Sequence, residues 1–195
     1  MSIYTPLCDL LGIEHPVLLA PMAGVSGGAL AAAMSRAGGL GLIGGGYGDA
    51  EWLEREFNAA GDARIGAGFI TWSLARQPDL LDFVLDRAPV ALMLSFGDFQ
   101  PFLQTIKNAQ TKIIVQVQTL EQAREALDSG VDAIVAQGTE AGGHGGTRAT
   151  LPFVPAVVDI AKDIPVIAAG GIADGRGLAA ALALGASGVL CGTGF

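Results

Sequence analysis

The chain has 195 residues, 51% of them apolar and 15% charged, with a formal net charge of −8. That composition excludes a disordered segment, and the acidic balance excludes nucleic acid as the main partner, because phosphate backbones select basic faces. The length gives a single domain over residues 1–195 with a substantial core, and the 29 glycines, spread without a period, point to many tight turns.

In chain order, residues 17–20 read as a first strand and 28–37 as an alanine-rich helix. Residues 40–43 make a second strand, and Asp49 caps a helix running to about residue 60. A third strand covers 64–70. Pro78 opens a helix over 79–87, in which Leu80, Leu81, Val84 and Leu85 form one apolar stripe. The fourth strand is 90–94, followed by a helix over 101–108. The fifth strand is 112–117. Thr119 then caps a helix over 120–128, with Gln122 in capping-box register. A sixth strand, 132–135, precedes a glycine-histidine loop and a helix over 151–162. Strand seven is 165–169, Asp174 caps a helix over 175–184, and strand eight is 188–191.

Eight short apolar strands alternating with helices predict a parallel (β/α)8 TIM-type barrel, with an open doubly wound sheet as the rival. No helix follows strand eight in the sequence, so the barrel reads as C-terminally incomplete. The uncharged window 16–35 is broken by Pro21, Gly24, Gly27 and Gly28 and reads as strand, turn and helix rather than a membrane span. No signal peptide is recognisable, and Cys8 and Cys191 show no paired spacing. Both readings favour a cytoplasmic protein with reduced thiols.

In such folds ligands lie beyond the carboxyl ends of the strands, and the distinctive residues fall there. Pro21-Met22-Ala23-Gly24 follows strand one. Gln137-Gly138-Thr139-Glu140-Ala141-Gly142-Gly143-His144 follows strand six. Gly170-Gly171-Ile172-Ala173-Asp174-Gly175 follows strand seven, and Gly192-Thr193-Gly194 follows strand eight. Glycine amides, the Thr193 hydroxyl and a helix N-terminus suit a phosphate monoester. His144, held among glycines, suits proton transfer near neutral pH. No P-loop pattern occurs, which argues against a nucleoside triphosphate. His15 reads as structural and Glu140 as a carboxylate that orients its neighbours. Gln116 and Gln118 share one face of strand five, either toward a ligand or toward polar neighbours. Phe69 and Trp72 suit a pocket lining or core packing equally.

These four segments, in this order, resemble the nitronate monooxygenases (2-nitropropane dioxygenases), FMN-dependent barrels. The resemblance implies FMN as cofactor, with Met22 and Ala23 against the flavin ring, and Gln137 and Gly142 at the ring and ribityl region beside Gly143. It implies Gly170, Gly171 and the run Leu190, Cys191, Gly192 and Thr193 at the phosphate. Gly68 stands where many members carry an asparagine, so only its backbone is available. Gln116 is added as a flavin contact, and no metal ligand is assigned. His144 matches the family's catalytic base. The implied reaction takes an alkyl nitronate or nitroalkane with dioxygen to a carbonyl compound and nitrite. Flavin-dependent NAD(P)H:quinone and enoyl-acyl-carrier-protein reductases share the glycine-histidine segment and form the first alternative. An inactive truncated barrel acting as a binding module forms the second. The expected partners are the small substrate and dioxygen, with neither nucleic acid nor membrane, and a homo-oligomer is an admissible assembly.

Overall fold

A computed structural model describes residues 3–195. Its strands are β1 (Val17–Leu19), β2 (Leu40–Gly46), β3 (Gly66–Ile70), β4 (Ala91–Ser95), β5 (Lys112–Val117), β6 (Ala133–Gln137), β7 (Val166–Ala169) and β8 (Gly188–Cys191). They follow the order β1 through β8 of a closed barrel, so the expected parallel (β/α)8 class holds and the open sheet is excluded. The helices are α1 (Pro6–Leu11), α2 (Gly28–Arg36), α3 (Ala50–Ala60), α4 (Thr71–Leu74), α5 (Asp79–Leu85), α6 (Gln100–Asn108), α7 (Leu120–Asp128), α8 (Thr150–Ala161) and α9 (Gly175–Ala183). Among the described residues no helix follows β8, and none is long and apolar enough to cross a membrane.

Two elements were not anticipated. α1 starts with a proline in its first turn and ends on Gly12 in the left-handed conformation, both ordinary helix punctuation. α4 is one turn that begins directly after β3, with no side chain capping it. Three strands also outrun their predicted ends, β4 by the single residue Ser95. β2 continues through three glycines to Gly46, and β6 takes in Gln137.

The chain divides into two compact units, one covering Leu19–Ile113 and the other running to Leu18 and resuming over Ile114–Phe195. In the first, β2, β3 and β4 pair in parallel, with Leu42 opposite Gly66 and Ala67 opposite Leu92. The β2–β3 register shifts between Gly44 and Gly46, an irregularity of the kind that re-aims a strand end. Its core holds Leu40, Leu42, Ile43, Leu53, Leu92 and Met93, all buried. Gly41 is required here, because a Cβ would fall on the Ala31 backbone of α2. In the second unit, β5 through β8 pair in parallel, with Val135 opposite Ile167 and Ala168 opposite Val189. Phe153, Val154 and Val157 on α8 are fully buried there. The strands are apolar on both faces, as parallel strands covered by helices must be.

Three helix starts, those of α3, α7 and α9, supply their own oxygen acceptors. Asp49 accepts from the Trp52 amide at 2.9 Å, and the Thr119–Gln122 capping box closes as expected. Asp174 accepts from the Arg176 and Gly177 amides at 2.9 and 3.3 Å. Those α9 amides are therefore engaged by the carboxylate that the sequence places as the cap of this helix.

Candidate functional site

In the Leu19–Ile113 unit, the turn after β1 carries Met22 and Ala23. Ser26, fully buried, shapes it: its hydroxyl donates to the Ala20 carbonyl at 2.6 Å and accepts from the Met22 amide at 3.2 Å. The Ser26 carbonyl accepts from the Gly44 amide at 2.9 Å, and the Gly44 carbonyl accepts from Trp52 Nε1 at 3.1 Å. The β2 end is thus pinned from both sides against the turn. A Cβ on Gly44 would fall on the Met22 carbonyl, and one on Gly46 would lie 2.6 Å from Ala23 Cβ. Gly68 has Pro21 where its Cβ would be, so the position usually held by asparagine in the resembled family is here closed by packing. Phe69 is buried in the core, whereas Trp72 sits exposed on α4.

The second unit holds the glycine-histidine loop. Its base is closed by the Thr139 amide donating to the Arg148 carbonyl at 2.7 Å. Glu140 Oε2 accepts from both the Thr150 amide and hydroxyl, at 2.8 and 2.7 Å, so the loop carboxylate caps α8 from outside. The Thr150 hydroxyl also reaches the Gly170 carbonyl at 3.1 Å, tying the loop to the turn after β7. The turn after β8 approaches the same place: a Cβ on Gly194 would lie 3.4 Å from Ala173 Cα. Gly170 and Gly171 occupy positive φ, at 119° and 70°. Leu190 and Cys191 are buried at the end of β8, and Thr193 is exposed in the turn that follows. Burial pushes the Cys191 thiol up from its ordinary value.

Three glutamines organise the loop. Gln116 Nε2 and Gln118 Nε2 both donate to Gln137 Oε1, at 3.0 and 2.7 Å, and Gln137 Nε2 donates to the Gly142 carbonyl at 3.3 Å. Gln118 Nε2 also donates to the His144 carbonyl, while its own amide donates to the capping residue Gln122 at 2.8 Å. Gln116 therefore has the polar neighbour that was one of its two readings. Gln118, on the same face two residues on and open to the same two readings, likewise has polar neighbours. The His144 side chain lies in an exposed stretch with Gly142, Gly143 and Gly145. A Cβ at Gly142 or Gly145 would meet nothing within 4 Å, so the loop leaves open space beside the imidazole-bearing segment. Glycine turns with an open flank, positive φ at Gly170 and Gly171 and fixed amides fit a flat phosphorylated cofactor. Among the described residues no cluster fits a metal ion.

The cap on α8 gives a pH-dependent expectation. Hydrogen bonding from Thr150 holds the Glu140 carboxyl below the ordinary value of 4.5. A depressed folded value means that its contribution is complete above the ordinary value and is lost as pH falls through the folded one. Glu140→Gln is expected to lower Tm by about 2–4 °C at neutral pH and to flatten the acid limb of Tm against pH. An acid limb identical to the parent would show that the carboxylate does not hold the loop.

Comparison with known proteins places this geometry. A family model described as nitronate monooxygenase matches residues 4–63 and 75–195. The chain is 36% identical over 197 residues to the (3aS,4S,5R,7aS)-5-hydroxy-7a-methyl-1-oxo-octahydro-1H-indene-4-carboxyl-CoA dehydrogenase of Rhodococcus jostii (strain RHA1), covering 100% of this chain and 55% of that protein. It is 35% identical to the nitronate monooxygenase of Paraburkholderia phytofirmans (strain DSM 17436 / LMG 22146 / PsJN), covering 97% of this chain and 65% of the relative. Among solved structures, FabK from Thermotoga maritima superposes with a TM-score of 0.91 at 38% identity, covering 99% of this chain and 62% of that one. The chain thus spans between about half and two thirds of the length of these relatives.

Proposed function

We infer the activity from one premise: the chain belongs to the nitronate monooxygenase family. On that premise it is an FMN-dependent oxidoreductase that oxidises alkyl nitronates, and nitroalkanes after deprotonation, with dioxygen to carbonyl compounds and nitrite. The observation that carries the reading is the His144 loop, fixed at its base by Thr139 and Arg148 and at its tip by Gln118, with open space at Gly142 and Gly145.

FMN would be held by Met22, Ala23 and Gly68 through backbone, and by Gln116, Gln137, Gly142 and Gly143 around the ring. Gly170, Gly171, Leu190, Cys191, Gly192 and Thr193 would hold its phosphate. Bound flavin supplies the redox chemistry, accepting electrons from the nitronate and returning them to dioxygen. The chain's own part is to fix the ring-facing amides and to present a base. His144 would take the proton from the carbon bearing the nitro group, and the glutamine network keeps the loop from moving as it does so.

Two measurements test this. The purified chain should show the visible bands of oxidised flavin. It should release nitrite from propionate 3-nitronate under air without NAD(P)H. A second reading is favoured by the Rhodococcus relative, whose name is that of a CoA-ester dehydrogenase. Under it the flavin would be reduced by a CoA thioester, or by NAD(P)H in the related reductases, and nitrite would not appear. Colourless protein that rebinds no FMN would sink both and leave the binding-module alternative.

A further inference from the structure

We propose that Tyr47, Trp72 and Arg76 form a binding site for a phosphate-bearing purine nucleotide group. The three residues lie beyond the ends of β2 and β3, within one compact unit. The Tyr47 and Trp72 ring centroids are 5.8 Å apart at 57°, and the Arg76 guanidinium lies 5.2 Å from the Trp72 centroid. Tyr47 is 56% exposed and Trp72 40% exposed, unusual for rings of this size.

The cluster is built, not incidental. Ser73 Oγ and Gln77 Nε2 both donate to the Tyr47 carbonyl, at 2.7 and 3.1 Å, so α4 and the β2 loop are tied together directly beneath the rings. Gly48, at φ 83°, lets the loop turn there, and a Cβ on it would strike Gln77. A surface held in advance loses less freedom when a ligand arrives.

A second arginine–tryptophan pair in the same unit shows what a structural version looks like. Arg55 lies 5.1 Å from the Trp52 ring, but its charge is met by Glu56 at 3.2 Å, and the Trp52 indole N–H is engaged by Gly44. Arg76 has no carboxylate partner and the Trp72 indole N–H no acceptor among the described residues. Placed 5.2 Å from the Trp72 centroid and met by no carboxylate among the described residues, the Arg76 guanidinium has its N–H groups available for bidentate contact with phosphate. The exposed ring faces and the outer face of the guanidinium offer a stacking surface for a flat base. An adenosine phosphate meets both requirements, and it is the shared end of coenzyme A and NADPH.

The test reads binding without turnover, so its failure is distinct from failure of the nitronate reading. With FMN at saturation, adenosine 3′,5′-bisphosphate is titrated calorimetrically into the chain. We expect saturable one-site binding that weakens about tenfold or more in Arg76→Ala and in Trp72→Ala and is unchanged in Arg55→Ala. Adenosine and inorganic phosphate alone should each bind far more weakly. Parallel titrations with coenzyme A and NADPH identify the source as whichever binds more tightly and depends on Arg76. Absent binding, equal affinity in Arg76→Ala, or equal loss in Arg55→Ala would overturn the proposal. All three variants change exposed or half-exposed side chains, and circular dichroism confirms their fold.

Discussion

Replacing His144 with alanine is expected to slow oxidation of neutral nitroethane by about 10²–10⁴-fold while flavin stays bound and turnover of preformed ethyl nitronate changes by less than about tenfold. A neutral nitroalkane must lose a proton before it can be oxidised, and a nitronate has already lost it. The loop should survive the change, because Gln118 holds the His144 carbonyl and not its ring. Magnitude separates the two explanations. A loop hydrogen bond is worth about 1 kcal/mol, or roughly fivefold, which cannot produce a loss of 10²-fold or more. The measurement is kcat/KM on both substrates, with flavin absorbance as the control. Equal losses on the two substrates would make His144 a binding or structural residue, and unchanged nitroethane turnover would remove it from the chemistry altogether.

What the sequence disclosed follows physical rules that can be named. Buried parallel strands are continuous apolar runs, so all eight could be placed, with β5 and β8 matching at both ends. β2 and β6 outran their predicted ends because glycines and a glutamine interrupt the hydrophobic pattern, while the ladder continues, in β2 past a register shift between Gly44 and Gly46. α1 and α4 escaped because six and four residues are too few to show a helical period. Pro6 after Thr5 and the closing Gly12 are the signals the sequence carries for α1. The site divides the same way. Its glycine loops were legible because glycine marks where backbone must turn or approach closely. Ser26 is not legible in the sequence, because a side chain bonding to a carbonyl of its own turn leaves no linear pattern, and the face of Gln118 was legible but not its His144 partner. Glu140 was read as an orienting carboxylate, and its bonds to Thr150 supply the partner that the sequence could not name.

Gly44→Ala is expected to lower stability by about 1–3 kcal/mol, roughly 3–10 °C in Tm for a chain of this size, and to weaken FMN binding by about tenfold or more. Gly44 does not occupy positive φ, so alanine meets no backbone penalty there. Its added Cβ would instead fall on the Met22 carbonyl, with the Ala23 amide nitrogen 3.0 Å away. The neighbour cannot yield cheaply, because Ser26 fixes that turn through the Ala20 carbonyl and the Met22 amide. β2 cannot retreat without stretching the bonds from Gly44 to Ser26 and Trp52. The strain therefore falls on Met22 and Ala23, the backbone assigned to the flavin ring. Gly61→Ala is the matched control. Gly61 has nothing within 4 Å of its added Cβ but sits at φ 64° and ψ −129°, so it should cost about 1–3 kcal/mol through backbone strain alone and leave FMN affinity untouched. Thermal melts and flavin titrations of the two variants separate general destabilisation from displacement of the β1 turn. If Gly44→Ala loses stability yet binds FMN as the parent does, Met22 and Ala23 do not contact the flavin.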